Sequence, residues 1–195
     1  MRFVLAEDHW MLDALFPGEW DWVRELPSVA SGESFRRETR ERLLPPPLAP
    51  DEIADESTLD QIEDWDELIR PELAAGFSDA RTVVAGDLAK SEEVRASDEG
   101  NEDMREVLED AGLLFDLPPL RRVAVPHGHT EAWYSTLNQA RILMNEEYGL
   151  ADPEEREFVK VFGTESMERE RLLLLAQYEL YSVVQSILVE NLMEE

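Results

Sequence analysis

Two of the three histidines lie two residues apart in the segment 126–131, which reads Pro-His-Gly-His-Thr-Glu. Imidazole nitrogens with a carboxylate nearby are ligand types that bind zinc and other transition metals. His127, His129 and Glu131 are therefore candidate metal ligands, and a metal-dependent enzyme that uses them is the alternative function for this sequence. The competing interpretation is that these histidines cap a helix or face solvent, because no third histidine or cysteine has a recognisable ligand spacing.

Four of the 18 basic residues form a cluster near the N-terminal end of the chain. The cluster consists of Arg36, Arg37, Arg40 and Arg42. Such a cluster on a helix could bind phosphate, but Glu38 and Glu41 interrupt it, and Arg37 precedes Glu41 by the four-residue spacing of a helical ion pair. We therefore expect Arg36 and Arg37 to form ion pairs that stabilise the fold.

A second polar group follows from helical spacing. Asn138, Arg141 and Asn145 are separated by three and four residues, so they lie along one edge of a helix. Arg141 could bind an anionic ligand or a carboxylate of a partner protein. The competing interpretation is an internal ion pair, for example with Glu179, because buried arginines are normally paired.

Several catalytic classes are excluded by missing residues. The chain has no cysteine, which excludes disulfides, thiolate nucleophiles and iron–sulfur ligation. It also has no Gly-x-Ser-x-Gly elbow and no glycine-rich phosphate loop. Neighbouring acids such as Asp64 and Asp66 resemble a glycosidase or calcium pair, but the glycine of a calcium loop is missing, so we interpret them as solvated. We predict no catalytic residue and no cofactor.

The sequence has 45 Asp and Glu residues against 18 Lys and Arg residues, a formal net charge of −27 in 195 residues. This charge repels phosphate backbones and anionic headgroups, which disfavours nucleic acids and membranes as partners. A protein partner with a basic surface or a divalent cation is compatible with it, as is a surface that only keeps the protein soluble. The lack of cysteine and of an N-terminal signal segment predicts a cytoplasmic protein.

The apolar spacing predicts long helices in the C-terminal third. The clearest helix covers residues 130–148, with one apolar stripe, and Gly149 ends it as a C-terminal cap. Residues 164–193 are also helical in pattern, over about 45 Å. Leucine, valine and tyrosine cover most of the surface of this last helix, as is typical of the central helix of a bundle.

The expected fold is therefore mainly α, a single domain of residues 1–195 built as a helical bundle around the long C-terminal helix. Two short runs of β-type residues, 2–7 and 121–125, would pair as a minor two-stranded β ribbon. In residues 91–103 the only large apolar residue is Val94, and we expect a flexible acidic loop there.

Three segments of the chain resemble one protein family. They are residues 34–44, 132–150 and 179–192, and the matching positions within them include Phe35, Arg36, Arg37, Trp133, Leu137, Asn138, Arg141 and Gly149. The segments resemble a helical bacterial family of unknown function, best represented in actinobacteria and often encoded beside the gene for a Clp protease adaptor. The resemblance implies a helical fold and, by gene neighbourhood, a link to regulated proteolysis or transcription. It implies no catalytic residue.

Charge, composition and resemblance together favour a cytoplasmic helical protein that is not an enzyme. We expect an interaction or regulatory protein whose acidic surface meets a basic surface of a partner protein. The sequence does not indicate the oligomeric state, and the metal-dependent enzyme is the alternative.

Overall fold

The computed structural model describes residues 1–47, 56–95, 102–110, 119–151 and 167–193. Its strands are β1 (Arg2–Leu5), β2 (His9–Leu15), β3 (Glu92–Val94) and β4 (Leu120–Pro126). Its α-helices are α1 (Pro17–Ser31), α2 (Arg37–Glu41), α3 (Glu56–Asp64), α4 (Arg70–Leu88), α5 (Glu102–Asp110), α6 (Thr130–Tyr148) and α7 (Arg169–Leu188). The π-helical turns Trp65–Ile69 and Val189–Met193 follow α3 and α7, and the 3₁₀ turn His127–His129 precedes α6. The fold is thus mostly helical.

The strands of the described residues form one antiparallel sheet of four, in the order β1-β2-β4-β3. The prediction of a two-stranded ribbon is wrong, because β2 lies between the two runs that we expected to pair. Trp10 on β2 is opposite Leu5 on β1 and Val125 on β4. Trp10 and Leu12 alternate along β2 and are both fully buried, so this strand has a core face of its own.

The short edge strand β3 falls within the predicted loop 91–103, so the loop prediction is wrong for residues 92–94. Val94 pairs with Leu120 on β4, and the two side chains are only 5% and 2% exposed. The buried side chain of Val94 packs in the core, and this packing stabilises the pairing of these three residues with β4. Residues 96–101 of the predicted loop lie outside the described residues, and its last two residues, 102 and 103, begin α5, so the loop prediction is wrong for them as well.

The central helix of the described fold is α6, which packs against α1, α4 and α7. Its predicted apolar stripe is buried at Trp133, Leu137, Ala140 and Met144, while Tyr148 is 39% exposed. The C-terminal helix therefore does not have the central position that we predicted for it. It lies beside α6 and α1, and these two helices cover only one of its two apolar faces.

The buried face of α7 carries Tyr181, whose hydroxyl donates to the carbonyl oxygen of Trp22 on α1 at 2.6 Å. The same hydroxyl accepts a hydrogen bond from Gln177 Nε2 at 2.9 Å. Burial raises the pKa of Tyr181 well above its ordinary value, so the phenol is neutral at physiological pH. The bond to Trp22 links α7 to α1 and fixes the side of α7 that faces α1, while the bond from Gln177, within α7, holds the hydroxyl in place.

By length and composition, one helix in the described part of the chain, Arg169–Leu192, could cross a bilayer. The core helix of a soluble protein meets the same two criteria. Because α7 packs on α6 and α1, its hydropathy alone does not assign it to a membrane.

The core lies between the sheet and the helices and is built around two tryptophans. The rings of Trp10 on β2 and Trp133 on α6 meet edge to face, with centroids 5.3 Å apart. Trp10 also stacks on Phe3 of β1, and its Nε1 donates to Thr130 Oγ1 at 3.1 Å. The buried indole N–H is thereby satisfied, and the start of α6 is fixed against the sheet.

The helices α3 and α4 are continuous through the π-helical turn between them. Pro71 is in the first turn of α4, where its missing N–H and its ring are incompatible with an α-helical bond to the carbonyl of Glu67. The N–H of Arg70 instead reaches the carbonyl of Trp65, five residues earlier. The extra residue in this turn lets the helix continue past the proline without ending.

Candidate functional site

The predicted metal ligands lie where β4 is followed by α6. His127 Nε2 lies 3.1 Å from the carbonyl oxygen of Ala6, and His129 Nδ1 lies 2.9 Å from Asp87 Oδ2. Glu131 is exposed on the first turn of α6. Within the described residues, no group of three histidine or acidic side chains is arranged to hold a metal ion. The structure brings His129 to a carboxylate but does not join His127 and Glu131 to it.

Asp87 is the centre of a buried polar cluster that the sequence analysis missed. Its side chain is 1% exposed, and its Oδ2 accepts a hydrogen bond from Trp133 Nε1 at 3.1 Å beside the contact with His129. Lys90 Nζ lies 3.7 Å from Oδ1, toward the surface. Helical spacing could have predicted the burial of Asp87, since it follows the apolar, buried Val84 by three residues and lies on the same face of the helix.

A carboxylate that orients a histidine is one part of many acid–base sites, so the Asp87–His129 pair has a chemical interpretation. The second donor to this carboxylate is Trp133, a fully buried core residue that has no acid–base chemistry. The arrangement therefore joins α4 to α6 through Trp133 and to the 3₁₀ turn before α6 through His129. It provides orientation for His129 but, by itself, no nucleophile.

The predicted arginine cluster lies at the junction between α2 and the end of α6. Arg36 Nε donates to Glu147 Oε1 at 3.0 Å, and Thr39 Oγ1 donates to Oε2 of the same carboxylate. The hydrogen bond from Thr39, together with the charge of Arg36, lowers the pKa of Glu147. Arg37 is separate from this contact and pairs with Glu41 on its own helix at 2.8 Å. Both predicted arginines are thus in ion pairs, and the partner of Arg36 comes from α6.

Asn138 and Arg141 both face α7. Arg141 Nη1 donates to Gln185 Oε1, and Gln185 Nε2 donates to Asn138 Oδ1 at 3.5 Å. The guanidinium carbon of Arg141 also lies 5.3 Å from the ring centroid of Tyr178. Arg141 thus meets a neutral amide and an aromatic ring where we expected a carboxylate, and this position makes it a link between α6 and α7.

A second buried carboxylate that the sequence analysis missed is Asp13, which is fully buried on β2. Its Oδ1 accepts from Arg122 Nε on β4 at 2.8 Å, and its Oδ2 accepts from Arg2 Nε on β1 at 3.2 Å. Burial opposes the ionisation of Asp13, but the hydrogen bonds and charges of Arg122 and Arg2 together outweigh it and lower the pKa of Asp13. One carboxylate therefore connects three neighbouring strands.

The most exposed helical part of the described structure is the segment 59–79, which we call the acidic arm. It comprises the end of α3, the π-helical turn and the first half of α4. All its residues are exposed except Ile62, Trp65 and Phe77, which are partly buried. The arm carries seven acidic residues and one basic residue, Arg70, which pairs with Asp66 at 3.2 Å.

Large apolar side chains stand among these acids. Leu68 is 66% exposed, Leu59 is 53% exposed and Ile69 is 47% exposed. The spacing of Ile69, Leu73 and Phe77 leads directly into the buried part of α4, where Ala80, Val84 and Leu88 are in the core. The apolar face of this helix therefore continues beyond the core into solvent, with carboxylates on either side of it.

No curated protein and no solved structure matches this chain. The family of domains of unknown function named DUF2017 matches residues 11–192. The matched range begins within β2 and includes all seven described α-helices, so the match covers most of the described fold. The chain therefore belongs to the DUF2017 family, a family of unknown function.

Proposed function

We propose that this protein is a non-enzymatic interaction module of the cytoplasm, and that it binds a basic surface of a partner protein through the acidic arm. The observation that carries the proposal is the arm itself. It is a helical segment of about six turns that exposes both leucines and carboxylates, while the buried residues of its helix begin only at Ala80.

The apolar residues of the arm support a binding role. A monomeric protein exposes single apolar side chains routinely, but a contiguous group of large ones usually marks an interaction surface. Leu68, Ile69 and Leu73 lie within two turns of one another and are 66%, 47% and 39% exposed. A partner that covered them would bury apolar area along a helix that is already formed. The acidic arm would therefore lose little conformational entropy on binding.

The acidic residues of the arm determine the chemistry of the partner. Glu63, Glu67 and Glu72 are exposed on three successive turns, and the net charge of the whole chain has the same sign. This field attracts a basic surface and repels nucleic acids and anionic lipids. The fitting occupant is therefore an amphipathic helix with leucine-type residues on one face and lysines or arginines beside them.

The family resemblance adds a proposal about the cellular role of this partner. A gene neighbour that encodes a Clp protease adaptor would place the partner in regulated proteolysis. We propose this pathway from the resemblance alone, and the binding chemistry of the arm does not depend on it.

The proposal can be tested with a fluorescently labelled peptide designed as a basic amphipathic helix of leucine, lysine and arginine. Its control is a peptide of the same composition, scrambled so that it has no apolar face. In fluorescence anisotropy titrations, the designed peptide should bind more tightly, and Leu59→Gln/Leu68→Gln should weaken its binding by about tenfold or more. Glu63→Gln/Glu67→Gln should weaken binding and reduce its dependence on salt.

The matched control for the charge variant is Glu106→Gln/Glu109→Gln on α5, which removes the same charge from exposed positions outside the arm. This control should bind the designed peptide as the unmodified protein does. The proposal is wrong if neither peptide binds, if both peptides bind equally, or if the α5 control loses as much affinity as the arm variant.

A further inference from the structure

We propose that two copies of this chain associate through the outer face of α7, with the two helices antiparallel. This face is distinct from the acidic arm and from the buried face of α7, so the inference goes beyond the proposed function and does not rest on it. It follows from the spacing, the exposure and the charge pattern of one set of residues. These residues, which we call the outer stripe, are Leu173, Ala176, Leu180, Val183 and Ile187.

The outer stripe has the spacing of a helix–helix seam. Its successive members are three, four, three and four residues apart, as in the a and d positions of a coiled coil. Leu173 is 48% exposed and Val183 is 46% exposed, while Leu180 and Ile187 are half-buried. An apolar stripe with this repeat can accept a second helix along its length.

The remaining apolar residues of α7 form its buried face, and of the outer stripe Leu180 also packs against the edge of the core. Tyr178, Tyr181, Val184 and Leu188 are buried against α6 and α1. The hydrogen bond from the Tyr181 hydroxyl to the carbonyl of Trp22 fixes this face inward. α7 therefore has two apolar faces, and the described residues of one chain cover mainly one of them.

The ends of the stripe indicate that its occupant is a second copy in antiparallel orientation. Arg169 begins α7 four residues before Leu173, Glu190 follows Ile187 by three residues in the π-helical turn after α7, and both side chains are exposed. In an antiparallel pair, each Arg169 meets Glu190 of the other copy, and each Leu173 meets Ile187. A parallel pair would instead place Arg169 beside Arg169 and Glu190 beside Glu190, which is unfavourable.

Side-chain size is also complementary in the antiparallel pair. With Leu180 opposite its own copy at the two-fold axis, the small Ala176 lies opposite the larger Val183. A two-fold interface uses the same surface patch on both copies, so the patch must be complementary to itself, as the outer stripe is in this arrangement. The stripe itself carries no charge, and the repulsion between two acidic chains is screened beyond about 8 Å at physiological ionic strength.

The absence of cysteine from the chain makes disulfide cross-linking a direct test at physiological salt. Leu180→Cys should cross-link to itself, because the two copies meet at the axis. Leu173→Cys alone should not, because its copies lie about 21 Å apart along the helices, but a mixture of Leu173→Cys and Ile187→Cys chains should cross-link. Efficient self-linking of Leu173→Cys would overturn the antiparallel arrangement.

Analytical ultracentrifugation of the full chain tests the dimer itself. The unmodified protein should be dimeric at micromolar to sub-millimolar concentration, and Leu173→Glu/Val183→Glu should raise the dimer Kd by more than about tenfold. Ala85→Glu/Ala89→Glu, at exposed positions on and just after α4, is the control with equal added charge and should not change the Kd. Circular dichroism checks that each variant is folded.

A charge exchange tests the ends of the stripe. Arg169→Glu should weaken the dimer, and Arg169→Glu/Glu190→Arg should restore it. A chain that stays monomeric at all these concentrations overturns the proposal, as does a dimer that is insensitive to the stripe variants. Flotation of a monomer with neutral phosphatidylcholine vesicles, abolished by Leu173→Glu/Val183→Glu, would also overturn it and would assign the stripe to lipid.

Discussion

Oδ2 of Asp87 accepts a 3.1 Å hydrogen bond from the indole Nε1 of Trp133, so a carboxylate of α4 and a tryptophan of α6 are joined inside the core. Both side chains are almost completely buried. The same carboxylate is within 3 Å of His129 Nδ1. Its loss would leave two nitrogen donors near the core without their acceptor.

Asp87→Ala should therefore lower the free energy of unfolding by about 1–3 kcal/mol, since the buried indole N–H of Trp133 would lose its acceptor. Asp87→Asn keeps one carbonyl oxygen and should lose less. Urea denaturation measures both, with Asp79→Ala at an exposed position on the same helix as the control. A loss for Asp87→Ala no larger than that of the control would contradict a structural role for this carboxylate.

Arg141 and Gln185 should be coupled in a double-mutant cycle. Arg141→Met keeps the apolar stem and removes the guanidinium, and Gln185→Ala removes the acceptor. We expect a coupling energy of about 1.5–3 kcal/mol, typical of a hydrogen bond in which one partner is charged. Because neither partner is a carboxylate, the coupling should be the same at neutral and mildly acidic pH. A coupling that disappears on acidification would indicate a carboxylate partner instead.

Asp13 should make stability depend on pH with a definite sign. Its pKa is lower in the folded protein than in the unfolded chain, where it is about 3.9. The stabilisation from ionised Asp13 is therefore fully present above the unfolded value and is lost as pH falls through the folded value. Asp13→Asn should be less stable at neutral pH, and its deficit should shrink in acid. A deficit that is constant with pH would contradict this assignment.

The junction between α2 and α6 should depend on Thr39 and Arg36 but not on Arg37. Thr39 is 2% exposed and donates to Glu147, whereas Arg37 contacts only its own helix through Glu41. Thr39→Val should lower the melting temperature by a few degrees, and Arg36→Ala should lower it less. Arg37→Ala, the matched control, should leave it unchanged. An equal effect of Arg36→Ala and Arg37→Ala would argue against the junction.

Moderate salt should stabilise the protein or leave its stability unchanged. The net charge of −27 includes repulsion among exposed acids, much of it along the acidic arm, and salt screens this repulsion. Thermal unfolding between low and physiological ionic strength measures the effect. A melting temperature that falls steadily with added salt would show that attractive ion pairs dominate instead.

Apolar spacing and the preferences of glycine and proline predict several features of this fold from short stretches of sequence. The apolar stripe of α6 was evident from its spacing, and Gly149 ends the helix with a positive φ of 64°, a conformation that glycine adopts without strain. Pro71 is in the first turn of α4, as its fixed φ favours. Pro27, by contrast, lies inside α1, where a proline normally interrupts a helix, and the helix continues through it with Leu26 and Ala30 both buried.

The sequence by itself thus determined where most helices form, the charge of the surface, and the absence of thiol chemistry. Only the tertiary structure decided that β2 separates β1 from β4, which face of α7 is covered, and that Asp13 and Asp87 are buried. The physical reason is the range of the interactions. Helical periodicity and capping act over a few residues, whereas the environment of a carboxylate depends on partners such as Arg122 and Trp133, which are distant in sequence and meet it only in the folded chain.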